Sequence, residues 1–296
     1  MLSRGGAGPL DFRWLLAQVG VFGPSLAALI VSAVSGRELR RNSLRILPLL
    51  GLALAVGFVI ALVEPASNIE VGSLAAIMVT LVTIWVVIFF WPLSPKLLLP
   101  GTGEAQRPAG GRWLALAFVL PVVLFLLAWT LTGLQSGELG LSSYQSDVAA
   151  FGRIVIVSFS INFLFGGSLG EEIGWRGFLL PRLLRRHDPL VASIILGVVW
   201  AFWHAPIDLT TGSFGPGPAA LLGRFIWTLP VAILFTWFYI KSGGNLLVAL
   251  ILHTSLNISS DFGFSNYERS LVVCMILLFL TTLGLWGFSR MPRTGS

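Results

Sequence analysis

The sequence predicts an all-α, polytopic membrane helix bundle of eight to nine transmembrane helices, forming a single integral-membrane domain over residues 1–296. The composition is the first reason: 55% of residues are hydrophobic and 11% charged, against roughly 25% charge in an ordinary soluble domain. The second is that the 19 basic and 13 acidic residues stand in short clusters between long apolar runs. A cytosolic globular protein is excluded. So is a disordered chain, because 11 Trp and 21 Phe give far too much apolar surface to remain solvated.

The runs follow one another along the whole chain. Charge-free stretches extend from Trp14 to Gly36, Ile46 to Val63, Val71 to Pro95, Trp113 to Gly137, Ile154 to Gly170, Leu190 to Ile207, Phe225 to Ile240, Ser242 to Ser260 and Ser270 to Ser289. Each is near the ~20 residues that cross a hydrocarbon core. They are continuous rather than alternating, which fits helices and not barrel strands. The first run could alternatively be a signal peptide, with Ala33-Val34-Ser35 as its small-residue cleavage site, although it is long for that. Most of the Trp and Phe residues are expected to face lipid or the interface.

Loop charges set the direction. Arg37, Arg40, Arg41 and Arg45 follow the first run, and Glu64 and Glu70 the second. Further basic loops come at Lys96–Arg112, Arg182–Arg186, Lys241 and Arg290–Arg293. By the positive-inside rule the basic loops are cytoplasmic and the N-terminus external. The net charge of +6 therefore belongs to a membrane topology with lipid as neighbour. No basic face with interleaved aromatics points to nucleic acid. A single cysteine, Cys274, excludes a disulfide framework and a Cys-based zinc site. The preference for arginine over lysine, with abundant Gly and Ala, fits a GC-rich prokaryotic genome and hence a prokaryotic plasma membrane.

Ionisable groups at membrane depth are costly, and each is a functional-site hypothesis. They occur here in three clusters: Gly170-Glu171-Glu172-Ile173-Gly174-Trp175-Arg176, Trp200-Ala201-Phe202-Trp203-His204, and His253-Thr254-Ser255-Leu256-Asn257. Glu172 and Arg176 stand at i, i+4 with the acid N-terminal, the favourable order for an intrahelical ion pair, and are read as structural support. Glu171, about 100° further round the helix, is left as the free carboxylate. The turn at His187-Asp188-Pro189 is flanked by 16-residue arms to Glu171 and His204, so an antiparallel hairpin places both at one depth. A second turn at Ser242-Gly243-Gly244 sets His253 and Asn257 at a comparable depth on one helix face.

A carboxylate, two imidazoles and an amide around one cavity point to hydrolysis, with one group deprotonating water and others stabilising an oxyanion. Glu171, His204 and His253 could alternatively hold a divalent metal such as zinc, although no HExxH spacing is present. Gly166-Gly167-Ser168-Leu169-Gly170 matches GxSxG, but that motif needs a strained strand-to-helix turn. A helix break or close helix packing is the better reading of these glycines.

These clusters resemble the CPBP intramembrane protease family, also called Abi or CAAX-protease-like, which includes the CAAX prenyl endopeptidases. Glu171, Glu172 and Arg176 fill its EExxxR element, His204 the histidine of FxxxH, and His253 with Asn257 its HxxxN element, all within residues 146–260, the family-like catalytic core. Trp200 stands where the family usually has Phe. The resemblance implies an intramembrane endopeptidase with a cytoplasm-accessible cavity acting on peptide or lipidated protein substrates. Glu171 and His204 would activate water, while His253 and Asn257 would form the oxyanion site. It leaves open whether the mechanism is metal-dependent or rests on bare glutamate. The competing class is a non-catalytic scaffold or a proton- or ion-coupled transporter using the same Glu/His cluster.

Overall fold

A computed structural model of the chain describes residues 12–35, 48, 51, 55, 81–84, 110–137, 148–165, 167–209, 217–261 and 267–288. Among these residues every regular element is helical, as the composition requires. The elements are α1 (Phe12–Ser35), α2 (Gly111–Ser136), α3 (Val148–Phe165), α4 (Ser168–Gly174), a π-turn (Trp175–Leu179), α5 (Leu180–Leu184), α6 (Pro189–Asp208), α7 (Pro218–Lys241), α8 (Leu246–Asp261) and α9 (Tyr267–Phe288).

Among the described residues, α2, α6 and α7 are each long and apolar enough to cross a membrane, and α3 with the α4–α5 arm makes a fourth such span bent by 40°. The expectation of eight to nine crossings extends over runs that the described residues cover only in part. The apolar parts of α1, α8 and α9 are shorter, Gly20–Ser32, Leu246–Ser259 and Val272–Leu285. The runs 46–63 and 71–95 lie largely outside the described residues, as do many orientation-setting charges, including Arg37 to Arg45, Arg290 and Arg293.

Both turns read from the sequence are present, each with local chemistry that starts the next helix. The Asp188 carboxylate accepts from the N–H groups of Leu190 (3.0 Å) and Val191 (3.2 Å), capping α6, and Pro189 occupies a first-turn position that needs no N–H partner. After α7, Gly243 and Gly244 take φ of 73° and 78°, reversing the chain. The Asn245 side-chain oxygen then accepts from Leu247 N–H at 2.9 Å at the start of α8.

In lipid the drive between helices is close packing and hydrogen bonding rather than expulsion of water, and α1 against α4 shows this directly. Gly170 and Gly174, spaced as a small-xxx-small stripe, meet the α1 backbone. A Cβ on Gly170 would stand 2.6 Å from the Val21 carbonyl oxygen, and one on Gly174 would collide with the Pro24 backbone. The Ser25 hydroxyl donates to the Gly170 carbonyl across the same contact. Around it α6 packs on α7, and α8 on α2, α3 and α4. The centre is filled by Phe163, Leu169, Ile173, Leu196, Phe235, Phe238 and Leu250.

Leu127, Val199, Ile226 and Phe279 are exposed, as lipid-facing residues should be. Some aromatic side chains depart from the expectation that most face lipid or the interface. Trp175, Trp200, Phe163, Phe235 and Phe238 are buried, and the two tryptophans have polar partners at the centre of the bundle.

Candidate functional site

The site begins at a break in the helical path. Gly167 adopts φ of 105°, a conformation that strains any L side chain, and α4 starts at the next residue. The expectation of a helix break and close packing at these glycines matches this geometry. Ser168 is fully buried, with its hydroxyl 2.8 Å from Thr254 Oγ1. It is a joint between α4 and α8.

The two adjacent glutamates have different surroundings. Glu172 Oε1 accepts from Arg176 Nη1 at 2.7 Å and from His253 Nδ1 at 2.8 Å. The i, i+4 ion pair therefore forms, with both side chains inaccessible to solvent, and it also carries a histidine from α8. The Arg176 guanidinium lies between two rings, 4.4 Å from the Trp200 centroid and 4.2 Å from that of Phe235. Two aromatic faces thus share its charge with one carboxylate.

Glu171 has no cation bonded to it among the described residues. Its Oε2 accepts instead from two indoles, Trp200 Nε1 at 2.7 Å and Trp175 Nε1 at 3.2 Å. The carboxylate read as free is thus fixed at one oxygen by neutral donors. Its other oxygen faces the Gly167 break. A Cβ placed on Gly167 would stand 2.8 Å from Glu171 Oε1 and 3.6 Å from His253 Nε2, so both groups border the same small space.

The structure joins Glu171, Glu172, Arg176, Trp200 and His253 in one network drawn from α4, the π-turn, α6 and α8. His204 lies beside it, with its ring 6.2 Å from that of Trp200 and its Nδ1 2.9 Å from the Trp200 carbonyl oxygen. Asn257, half-buried, stands one turn beyond His253 on α8.

The equal-arm argument placed His204 opposite Glu171, whereas the residue bonded to Glu171 is Trp200, one turn nearer the hairpin. The motif arm contains the π-turn Trp175–Leu179, whose i to i+5 winding departs from the uniform α-helical rise that the equal-arm argument assumes. Arg185–Asp188 also lie outside any helix.

Among the described residues no three His, Cys, Asp or Glu side chains gather closely enough to hold a metal ion. The expected set of Glu171, His204 and His253 does not assemble as ligands. As arranged, these residues do not fit a three-ligand divalent site.

Trp175 was missed as a site residue, although its i, i+4 spacing from Glu171 was available as a signal. The donor role of Trp200 was missed too, since only its bulk was considered.

Residues 153–259 match the family model described as Type II CAAX prenyl endopeptidase Rce1-like, a stretch that contains every site residue named above. Over that stretch the chain is similar to the CAAX prenyl endopeptidases, and the long apolar helices around it fit an integral-membrane helical bundle. Among characterised proteins, CAAX prenyl protease 2 of Methanococcus maripaludis is 31% identical over 115 residues, covering 37% of this chain and 42% of the relative. The chain thus matches less than half the length of that relative.

Proposed function

We propose that the protein is an intramembrane endopeptidase of CAAX-protease type, hydrolysing peptide bonds of membrane-associated or lipidated substrates with water activated by Glu171 and His204. The observation that carries this reading is the space at Gly167, bordered by Glu171 Oε1 and His253 Nε2. A water there can give its proton to Glu171 while its oxygen attacks the scissile carbonyl carbon.

The carbonyl oxygen then becomes an oxyanion. His253 donates its Nδ1–H to Glu172 Oε1, and in its imidazolium form, paired with that carboxylate, it carries a second N–H at Nε2 that can donate to the oxyanion, with Asn257 as a second donor one turn away. Collapse of the tetrahedral intermediate breaks the C–N bond, and the proton taken from water passes to the leaving amine. His204 fits a proton-transfer role because its Nδ1–H is committed to the Trp200 carbonyl, which leaves Nε2 as the basic nitrogen. The products are a carboxylate and an amine.

The family match supports the same chemistry. The address that goes with it is a prokaryotic plasma membrane, with the cavity open to the cytoplasm.

The test is cleavage of lipidated and plain peptides by purified protein in detergent, beside Glu171→Gln, read by mass spectrometry with and without chelator. Products from wild type alone are expected, with Glu171→Gln slower by at least about a hundredfold, the scale of a lost general base. Equal cleavage by the two proteins overturns the mechanism. Ion flux across liposomes with no peptide product would replace it with the transport reading.

A further inference from the structure

We infer that Trp200 is a positioning residue for Glu171, acting through its indole N–H, and is more than an aromatic wall of the cavity. The inference rests on the protease reading above. Indole nitrogen is a donor only, and a carboxylate accepts at either oxygen, so which oxygen the indole takes decides what the other can do. Trp200 Nε1 takes Oε2 at 2.7 Å and Trp175 Nε1 takes the same atom at 3.2 Å. Two donors on one oxygen stop rotation of the carboxylate and hold Oε1 toward the Gly167 space and His253 Nε2. Orientation of this kind is worth most when it exists before substrate arrives.

The indole is itself held from several sides. Its ring meets Phe235 edge-on at 5.8 Å and His253 at 5.7 Å, so the direction of the N–H is set by packing. The Arg176 guanidinium over its face, 4.4 Å from the centroid, withdraws electron density from the ring. That makes the N–H a stronger donor. Its backbone carbonyl also receives His204 Nδ1 at 2.9 Å. One residue therefore orients the glutamate by its side chain and the histidine by its main chain. A phenylalanine would keep the wall and the cation–π face, and lose the bond to Glu171.

The experiment compares the full chain in detergent as wild type, Trp200→Phe, Trp175→Phe and the double variant, using a peptide that wild type cleaves. Trp200→Phe is expected to lower kcat about tenfold with KM nearly unchanged, the scale of one hydrogen bond to a charged group. Trp175→Phe, with the longer bond, should lose less, and the double variant more than the product of the two. In parallel, indole 15N–1H spectra of wild type and Glu171→Gln should show two shifted resonances. The Trp175→Phe and Trp200→Phe spectra assign those peaks.

Wild-type kcat in Trp200→Phe overturns the inference, as does a kcat loss accompanied by an equal loss of substrate affinity. Unmoved indole peaks in Glu171→Gln also overturn it, and this arm holds even if Trp200→Phe does not fold. A wild type that cleaves nothing fails the protease reading and takes this role with it. A wild type that cleaves while Trp200→Phe matches it fails this inference alone.

Discussion

Two carboxylate–guanidinium pairs, each with a buried carboxylate, stand in different regions of the bundle and use the same chemistry for different ends. At the centre, Glu172 meets Arg176 through one oxygen and one nitrogen, one turn apart on the motif arm. Where α6 ends, Asp208 meets Arg224 of α7 through both oxygens, at 2.7 Å and 2.8 Å. The second pair has the parallel, two-bond geometry that is strongest for a guanidinium and a carboxylate, and it clasps two helices. The first leaves geometry unused within the pair, so that Glu172 can also receive His253 and Arg176 can stack on Trp200 and Phe235. A pair that only joins helices can saturate its own bonds, whereas a pair that supports a site must share them.

Breaking the central pair should therefore have the larger effect. Arg176→Ala leaves Glu172 charged, buried and short of its cation, and it also removes the charge stacked between two rings. A loss of about 3–5 kcal/mol is expected for an uncompensated buried partner. The measurement is the melting temperature and folded yield in detergent. A melt equal to wild type would show that the pair carries no such burden.

The legibility of the two regions in the sequence differed for a physical reason. The Glu172–Arg176 pair could be read because both residues lie on one local helix, where spacing alone predicts contact. The hairpin turns could be read because Asp188-Pro189 and Gly243-Gly244 are local signals. Contacts between helices depend on depth, and depth was estimated at a uniform 1.5 Å per residue. The π-turn at Trp175–Leu179 departs from that assumption, and the residue bonded to Glu171 is Trp200, which depth-matching alone did not single out. His253 was expected in the same cavity, but nothing in its spacing says that Nδ1 selects Glu172. The close seat of α1 on Gly170 and Gly174 was visible as spacing and went unread.

The Asp208–Arg224 clasp sharpens the comparison from the other side. Asp208 is fully buried, while Arg224 retains 13% exposure, so water can solvate part of whichever charge is left. Arg224→Ala should cost about 2 kcal/mol, the range of hydrogen bonds to charged groups, and less than Arg176→Ala. Because the clasp shares no atom with Glu171 or His253, kcat per folded molecule should stay near wild type. Melting curves paired with activity normalised to folded protein would check both halves. A melt lower than that of Arg176→Ala would invert the ranking of the two regions.

The smallest effect is expected where the central joint is neutral. Thr254 follows His253 on α8, and its Oγ1 lies 2.8 Å from Ser168 Oγ and 2.8 Å from the Leu250 carbonyl oxygen. It ties α8 to the first residue of α4 beside the charged network without sharing its charge. Thr254→Val keeps the shape and β-branching and removes the hydroxyl, for a loss of about 1 kcal/mol. A larger loss would mean that this neutral tie, rather than the shared Glu172 carboxylate, sets the distance between α4 and α8. Then kcat should fall with the melt, because Glu171 Oε1 and His253 Nε2 would no longer border the same space.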